Sequence, residues 1–199
     1  MRRLVALTFL TLDGVMQSPG GPNEDTSGGF KYGGWTVGYW DDYLGKVMDE
    51  QMAEPFNLLL GRKTYEIFAA YWPNSKEPIA KILNNAKKYV VSTTLSALNW
   101  NNSVLVKGDI TEEIRKLKQQ DGPELQVHGS SNLIQTLFKN DLVDEFWLKT
   151  FPVTIGTGKR LFGEGTIPAS FKLVKSEVST TGVIAATYVR DGKIKTGSF

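Results

Sequence analysis

The sequence predicts an α/β protein built around one mixed sheet, and two observations carry that prediction. Predicted strands alternate with predicted helices over the first two thirds of the chain, which is typical of a parallel sheet covered by helices. In the last third, predicted strands follow one another with no helix between them, so we expect an antiparallel set to close the sheet. With 199 residues, of which 41% are hydrophobic, the chain is expected to form a single domain over residues 1–199.

Local patterns predict the elements in order. A buried strand over residues 4–12 ends in a turn at Asp13-Gly14, and residues 14–40 form a long glycine-rich segment with several aromatic rings. A loop of this length is typical of a lid or a linker, and the aromatic rings favour a lid. Helices are then predicted over residues 41–53, 62–72, 78–85, 110–120 and 132–139, and strands over 57–60, 88–92, 104–107, 124–127, 143–150, 171–179 and 183–190.

Composition and charge exclude several kinds of site and partner. The 23 basic and 21 acidic residues are mixed along the chain, so we expect neither nucleic acid nor a membrane surface as a partner. Because the sequence has no cysteine and one histidine, disulfides, thiolate catalysis and cysteine-based or histidine-rich metal sites are excluded, and we expect no metal. Arg2-Arg3 and the apolar run at residues 4–12 imitate a secretory signal, but Thr8 and Thr11 interrupt the run and no cleavage site follows, so we expect a cytoplasmic protein. No apolar stretch approaches the roughly 18–20 residues that span a bilayer, so we expect no membrane anchor.

The first candidate site is the junction between the strand at residues 57–60 and the helix that follows it. Gly61 separates the two, and Arg62 and Lys63 lie in the first helical turn. A helix N-terminus is already partly positive, so cations there are unfavourable unless an anion lies above them. The backbone N–H groups, the dipole and the two cations therefore predict a phosphate site. The alternative is an ordinary turn glycine followed by two solvated side chains.

A second junction of the same kind follows the strand at residues 124–127. Gly129, Ser130 and Ser131 precede a helix whose first charged residue is Lys139, so backbone donors and serine hydroxyls could hold a diphosphate there. Ordinary helix capping by serine is the alternative. In a parallel sheet both junctions would lie at the carboxyl edge, where ligands bind, and together they match a ligand with two separated phosphate groups.

Three better-known motifs are excluded. The segment Gly156-Thr157-Gly158-Lys159-Arg160 lacks the first glycine and the Ser or Thr of a P-loop, and no G-x-G-x-x-G fingerprint occurs. Gly129-Ser130-Ser131 lacks the second glycine of a nucleophile elbow. A P-loop ATPase, a standard Rossmann domain and a serine hydrolase are therefore not expected.

The chain resembles the dihydrofolate reductase-like superfamily, in the branch similar to the C-terminal reductase domain of bifunctional riboflavin-biosynthesis proteins. The resemblance covers nearly the whole chain in order. Its motifs are Leu12-Asp13-Gly14-Val15, Leu60-Gly61-Arg62-Lys63-Thr64-Tyr65-Glu66, Val91-Ser92-Thr93 and Gly129-Ser130, and the combination most specific to the branch is Leu142-Val143-Asp144-Glu145 followed by Pro152, Gly156, Gly158 and Leu161-Phe162.

This resemblance implies a three-layer α/β sandwich, a mostly parallel mixed sheet with antiparallel C-terminal strands, and NADPH as the hydride donor. His128 departs from the pattern, because family members often have a glycine there. The residues implied to bind the cofactor are Gly61, Arg62, Lys63, Thr64, Ser92 and Thr93 at the 2′-phosphate, Gly129, Ser130 and Ser131 at the diphosphate, and Asp13 beside the nicotinamide.

The resemblance further implies an NADPH-dependent reductase that transfers a hydride to a C=N or C=O group of a small heterocyclic or sugar-linked substrate. Such a reaction needs a proton donor. In dihydrofolate reductases the acid lies early in the helix after the lid, which indicates Asp41 or Asp42, with Glu50 as the reserve; helix capping is the alternative. We expect Trp35 and Trp40 of the lid to contact the substrate. The sequence leaves open a pterin, a ribosylaminouracil or an unrelated molecule as that substrate.

Two other classes of function stay open at this point. The first is an NADP(H)-binding module without turnover, and the second is an interaction protein in which the lid aromatics form an interface. A homodimer is expected in either case, because the segment PVTIGTGKRLF, residues 152–162, is extended and apolar enough to pack against a partner.

Overall fold

The computed structural model describes residues 1–164 and 166–198, and their strands form one mixed sheet. The strand order is β4-β3-β2-β5-β1-β6-β8-β7. The first six strands of this order, from β4 at the edge to β6, are parallel to one another. Strand β8 is antiparallel to both of its neighbours, β6 and β7. The strands are β1 (Leu4–Thr11), β2 (Phe56–Gly61), β3 (Lys88–Val91), β4 (Ser103–Val106), β5 (Glu124–His128), β6 (Glu145–Phe151), β7 (Phe171–Val178) and β8 (Ile184–Arg190).

Helices cover both faces of this sheet, so the predicted α/β fold with antiparallel C-terminal strands is confirmed. The predicted single domain of residues 1–199 includes Gly165 and Phe199, which lie outside the described residues. None of the helices in the described part of the chain is long and apolar enough to cross a membrane. The helices are α1 (Asp42–Gln51), α2 (Arg62–Tyr71), α3 (Pro78–Asn85), α4 (Ile110–Gln119) and α5 (Ser131–Lys139).

The alternation of apolar side chains along the strands produces the three layers. On β1, Leu4 and Ala6 pack with α4 and α5, whereas Val5 and Leu7 face the opposite side, where Met48 of α1 lies. On β2, Leu59 joins the same core as α4 and α5, and its neighbours join the core formed by α1, α2 and α3. The sheet therefore lies between a layer of α1, α2 and α3 and a layer of α4 and α5.

The segment between β1 and α1 packs back onto the sheet. The Trp35 indole donates to the Gln17 carbonyl at 2.8 Å, and its ring lies edge-on to Phe151, 5.3 Å between centroids. The segment at residues 152–162 also packs within the chain, because Phe162 stacks on Phe138 with centroids 5.5 Å apart. The homodimer stays a prediction, which sedimentation at two concentrations would test.

A row of polar side chains crosses the sheet beneath α1. Lys149 of β6 is fully buried and donates to the Gln51 side chain, and burial lowers its pKa to about 7. The Gln126 amide donates to the Gln51 carbonyl at 3.1 Å, and its oxygen lies 2.8 Å from His128 Nε2. Hydrogen bonds through Gln51 and Gln126 thus connect Lys149 on β6 to His128 at the end of β5.

Truncation of the core below α5 is expected to destabilise the fold. Ile134 is fully buried against the sheet, so Ile134→Ala should lower the free energy of unfolding by about 2–5 kcal/mol, through lost transfer energy and a residual cavity. Ile82 on α3 is 42% exposed, and Ile82→Ala should cost less than about 1 kcal/mol. Urea unfolding of both variants measures the difference, and equal costs would contradict this packing.

The buried lysine makes stability depend on pH. The pKa of Lys149 is about 7 in the folded chain and about 10.4 when unfolded, so between these values the unfolded chain binds more protons and stability rises with pH. Below pH 7 the full cost of the buried charge is present. We expect Lys149→Met to stabilise the protein at pH 6, and this advantage should shrink as the pH rises towards 10. Denaturation at several pH values measures it; a gap that does not change with pH would refute the assignment.

Candidate functional site

A cavity of about 1150 Å³ opens at the carboxyl edge of the sheet, where β1, β2 and β5 end. It exceeds the range of about 300–1000 Å³ that is usual for one drug-sized ligand, so it has room for a large ligand and a second, smaller one. Residues from both helical layers and from the segment after β1 line it. Strand ends in a parallel sheet are the usual position for a ligand site.

The two strand–helix junctions predicted from the sequence meet in this cavity. The Gly61 N–H donates to Ser130 Oγ at 2.8 Å, and that hydroxyl donates to Thr64 Oγ1 at 2.8 Å. A Cβ on Gly61 would lie 3.3 Å from the Ser130 side chain, so glycine permits this close approach. The Ser130 hydroxyl thus joins the start of α2 to the start of α5.

The start of α5 has an unusual backbone. Gly129 and Ser130 both have positive φ angles, 66° and 69°, and the first turn of α5 carries no acidic side chain. The Gly129 N–H donates to the Leu7 carbonyl at 3.3 Å, so the N–H groups that an anion could meet at this site are those of the first turn of α5. Ser131 lines the cavity beside them.

The basic end of α2 reaches across to the turn after β3. Arg62 Nε contacts Glu66 Oε1 at 2.7 Å, and its Nη1 donates to Thr94 Oγ1 at 2.8 Å. Lys63 is exposed at the cavity wall. Ser92 is buried, and its hydroxyl accepts from the Thr94 and Leu95 N–H groups, so it shapes the turn. Thr93 also lines the cavity.

One buried polar group in the cavity was not predicted. The Thr8 side chain is 3% exposed and lines the cavity, yet its Oγ1 has no hydrogen-bond partner among the described residues. A buried hydroxyl without a partner costs about 1–3 kcal/mol, so such a group is expected to meet a polar ligand atom. The sequence signal for it is a threonine inside an otherwise apolar strand.

The cavity has two parts of different character. The "junction half" contains the two helix starts, the turn after β3 and Thr8. The "apolar half" lies in the layer of α1, α2 and α3, and the segment from Met16 to Asp25 contributes the remaining wall. The apolar half is lined by Leu7, Phe9, Trp40, Gly45, Met48, Asp49, Met52, Ile67, Phe68, Tyr71, Trp72, Glu77, Ile79 and Leu83.

The structure places the three predicted catalytic acids outside the cavity. Asp41 caps α1 by accepting from the Leu44 N–H at 2.9 Å, and it also accepts from the Thr180 hydroxyl at 2.6 Å. Asp42 is exposed in the first turn of the same helix. Glu50 pairs with Lys175 at 3.3 Å on the outer surface. These positions favour capping and surface ion pairs over contact with a bound ligand.

Other carboxyl groups do line the cavity: Glu24, Asp25, Asp49 and Glu77. Burial raises the pKa of Glu24, although its Oε2 accepts from the Gly20 N–H at 2.6 Å. Burial would also raise the pKa of Asp25, but hydrogen bonds from Lys159, at 2.6 Å, and Ser27 outweigh it and lower the pKa. A carboxyl with a raised pKa in a cleft is suited to proton transfer.

Of the remaining predicted site residues, one lines the cavity and two lie outside it. Trp40 lines the cavity, whereas Trp35 lies outside it against Phe151. Asp13 also lies outside: its carboxylate accepts from the Thr11 hydroxyl at 2.5 Å and the Gly156 N–H at 2.7 Å, and these bonds lower its pKa to about 2. Asp13 therefore ties the turn after β1 to the segment after β6.

His128 lies at the boundary of the two halves and is neutral. Burial, and then the charge of Lys149, lower its pKa to about 3. The Gln126 amide nitrogen is bonded to Gln51 and Glu124, so its oxygen accepts from His128 Nε2–H. The ring stacks near Phe56, with centroids 6.0 Å apart. In the described part of the chain, no cluster of three or more His, Asp or Glu side chains could hold a metal ion.

Comparison with known proteins agrees with this architecture. The chain is 28% identical over 200 residues to YyaP, an uncharacterized protein of Bacillus subtilis (strain 168), with 96% of each protein covered. A solved structure of a Shewanella sp. PV-4 protein, provisionally named for riboflavin biosynthesis, is 26% identical with a TM-score of 0.73, covering 96% of this chain and 99% of that one.

A more distant structure shares the fold. Dihydrofolate reductase from Enterococcus faecalis, complexed with NADP(H) and RAB-propyl, has a TM-score of 0.59 at 16% identity, covering 95% of this chain and 96% of that one. The predicted relationship to dihydrofolate reductase-like proteins is thereby confirmed at the level of the fold. The family model of the RibD C-terminal domain matches residues 2–185, nearly the whole chain, and the protein therefore belongs to the RibD C-terminal domain family.

Proposed function

We propose that this protein is an NADPH-dependent reductase that transfers a hydride to a C=N or C=O group of a small heterocyclic or sugar-linked substrate. The observation that carries the proposal is the pair of helix starts, one basic and one neutral, joined through Ser130 at one cavity. Membership of the RibD C-terminal domain family supports it. The cytoplasmic location is part of the same proposal.

The residues of the junction half fit NADPH. Arg62 and Lys63, with Thr94 beside them, would hold the 2′-phosphate, because charge-assisted hydrogen bonds to phosphate are strong. The N–H groups of the first turn of α5, which begins at Ser131, would hold the diphosphate. The hydroxyl of Thr8, which has no partner in the described part of the chain, fits the carboxamide of the nicotinamide, which can both donate and accept.

When bound, NADPH supplies the hydride, and the chain supplies orientation, exclusion of water and a proton. The apolar half would hold the substrate between Trp40 and the side chains of α1 and α2. We assign the proton to the carboxyl of Glu24, which lines the cavity and whose pKa is raised by burial. Its Oε2 is held by Gly20, which leaves Oε1 to face a ligand.

The first prediction concerns the cofactor. Arg62→Ala combined with Lys63→Ala should weaken NADPH binding by at least about tenfold, since a single charge-assisted hydrogen bond contributes about 1.5–3 kcal/mol net and tenfold corresponds to about 1.4 kcal/mol. NADH, which lacks the 2′-phosphate, should bind the variant and the wild type equally. Titrations followed by fluorescence measure both affinities.

The matched control is Arg115→Ala with Lys116→Ala. This pair is also an Arg-Lys dipeptide on a helix, α4, where it bonds Glu112 and Glu113 on the solvent face. It should leave both affinities unchanged. An unchanged preference for NADPH over NADH in the Arg62 and Lys63 variant would rule out this 2′-phosphate site.

The second prediction concerns proton transfer. Glu24→Gln should lower kcat by about 100- to 10,000-fold while NADPH affinity stays the same. In the wild type, the acid is active only when protonated, so kcat should fall as the pH rises through the raised pKa of Glu24. This fall should be absent in the variant.

Glu54→Gln serves as the control, since Glu54 is exposed and lies outside the cavity. The assay is oxidation of NADPH with dihydropterin and ribosylaminouracil acceptors. Persistence of the pH-dependent fall in Glu24→Gln would exclude Glu24 as the donor. Binding of NADPH with no oxidation by any acceptor would instead favour a binding module without turnover.

A further inference from the structure

The two halves of the cavity differ in charge. In the described part of the chain, the cationic side chains that line it are Arg62, Lys63 and Lys159. Arg62 and Lys63 belong to the junction half, where they are the first two residues of α2. Lys159 bonds Asp25 at 2.6 Å, so its charge is already balanced by a neighbouring carboxylate. Positive charge is therefore confined to the junction half and to one neutralised pair.

The apolar half has the opposite character. Its charged residues are two carboxylates, Asp49 on α1 and Glu77 before α3, and the rest of its lining is aliphatic, aromatic or glycine. Asp49 is exposed, and its carboxylate forms no hydrogen bond or ion pair with the side chains or backbone of other described residues. The Tyr71 hydroxyl donates to Glu77 and holds that carboxylate at the wall. His128, at the boundary, is neutral above about pH 3 and adds no positive charge.

This distribution determines which substrates the apolar half can hold. A phosphate or carboxylate that enters it would lose water against the apolar walls, would find no cation among the side chains of this half, and would approach two solvent-exposed carboxylates of like charge. Each of these costs free energy, because a desolvated anion needs a paired cation or several donors. A neutral ring packs against Phe68, Trp40 and Trp72 at no such cost, and a cationic one is attracted by the carboxylates and by the aromatic faces.

We infer that the substrate of this enzyme is a flat, neutral or cationic heterocycle that carries neither a phosphate nor a carboxylate tail, selected by Asp49 and Glu77. The inference rests on the proposed reductase function and narrows it. It excludes phosphoribosylaminouracil and glutamate-bearing folates, and it retains pterins with uncharged side chains.

Two pterins with the same reducible ring test the inference. Dihydrobiopterin has a neutral dihydroxypropyl side chain, and dihydrofolate carries two carboxylates on its p-aminobenzoylglutamate tail. Tryptophan fluorescence of the full-length protein reports binding, since Trp40 and Trp72 line the apolar half. Each pterin is titrated with and without NADP⁺, and oxidation of NADPH is followed separately.

We expect dihydrobiopterin to bind at least about tenfold more tightly than dihydrofolate. Asp49→Lys should reduce or reverse this ratio, because it replaces a repelling charge by an attracting one. Glu54→Lys makes the same change of charge at an exposed position outside the cavity, and it should leave the ratio unchanged.

Equal or tighter binding of dihydrofolate, no binding of dihydrobiopterin, or an unchanged ratio in Asp49→Lys would each overturn the inference. Failure of the reductase proposal looks different. In that case NADPH fails to bind or is not oxidised, while the preference for the neutral pterin and its reversal by Asp49→Lys are still observed.

Discussion

The hydroxyl of Ser130 is the contact on which the whole site depends. It accepts from the backbone of Gly61 and donates to Thr64, and so joins two helix starts that are 69 residues apart in the chain. Parallel pairing of β2 with β5, with Leu58 opposite Gln126, brings the two strand ends into reach. The absence of a Cβ at Gly61 and the left-handed backbone at Ser130 complete the contact. A ligand that bridges both junctions meets a rigid surface.

Around this contact the sheet separates two environments. Thr8 projects towards α5 and the junctions, whereas its neighbours Leu7 and Phe9 face the layer of α1. Because successive side chains of β1 point to opposite faces of the sheet, this one strand supplies a polar group to the junction half of the cavity and apolar groups to the apolar half. The proposed hydride transfer suits a boundary of this kind, because the charged end of NADPH and the flat reacting rings would need different surroundings.

The sequence pattern of helix α1 predicts the helix itself, but it does not predict which of its acidic side chains faces the cavity. Its position and apolar stripe were predictable, and Leu44 and Val47 of that stripe are buried. The resemblance to dihydrofolate reductases, in which the acid lies early in this helix, indicated Asp41 or Asp42. The rotation of the helix against the sheet decides which acid faces the cavity, and it selects Asp49, on the same face as Gly45 and Met52. Periodicity pointed to that face, since Met48 and Met52 lie on it.

By itself the sequence determined the order of the elements, the mixed sheet, the two strand–glycine–helix junctions and the basic start of α2. These depend on residues within a few positions of one another, through alternation, capping and turn chemistry. Only the tertiary structure decided that the junctions touch through Ser130, that Thr8 Oγ1 has no partner among the described residues and that Glu24 is half-buried. Those properties arise from segments far apart in the chain, where packing and desolvation, rather than local propensity, set the outcome.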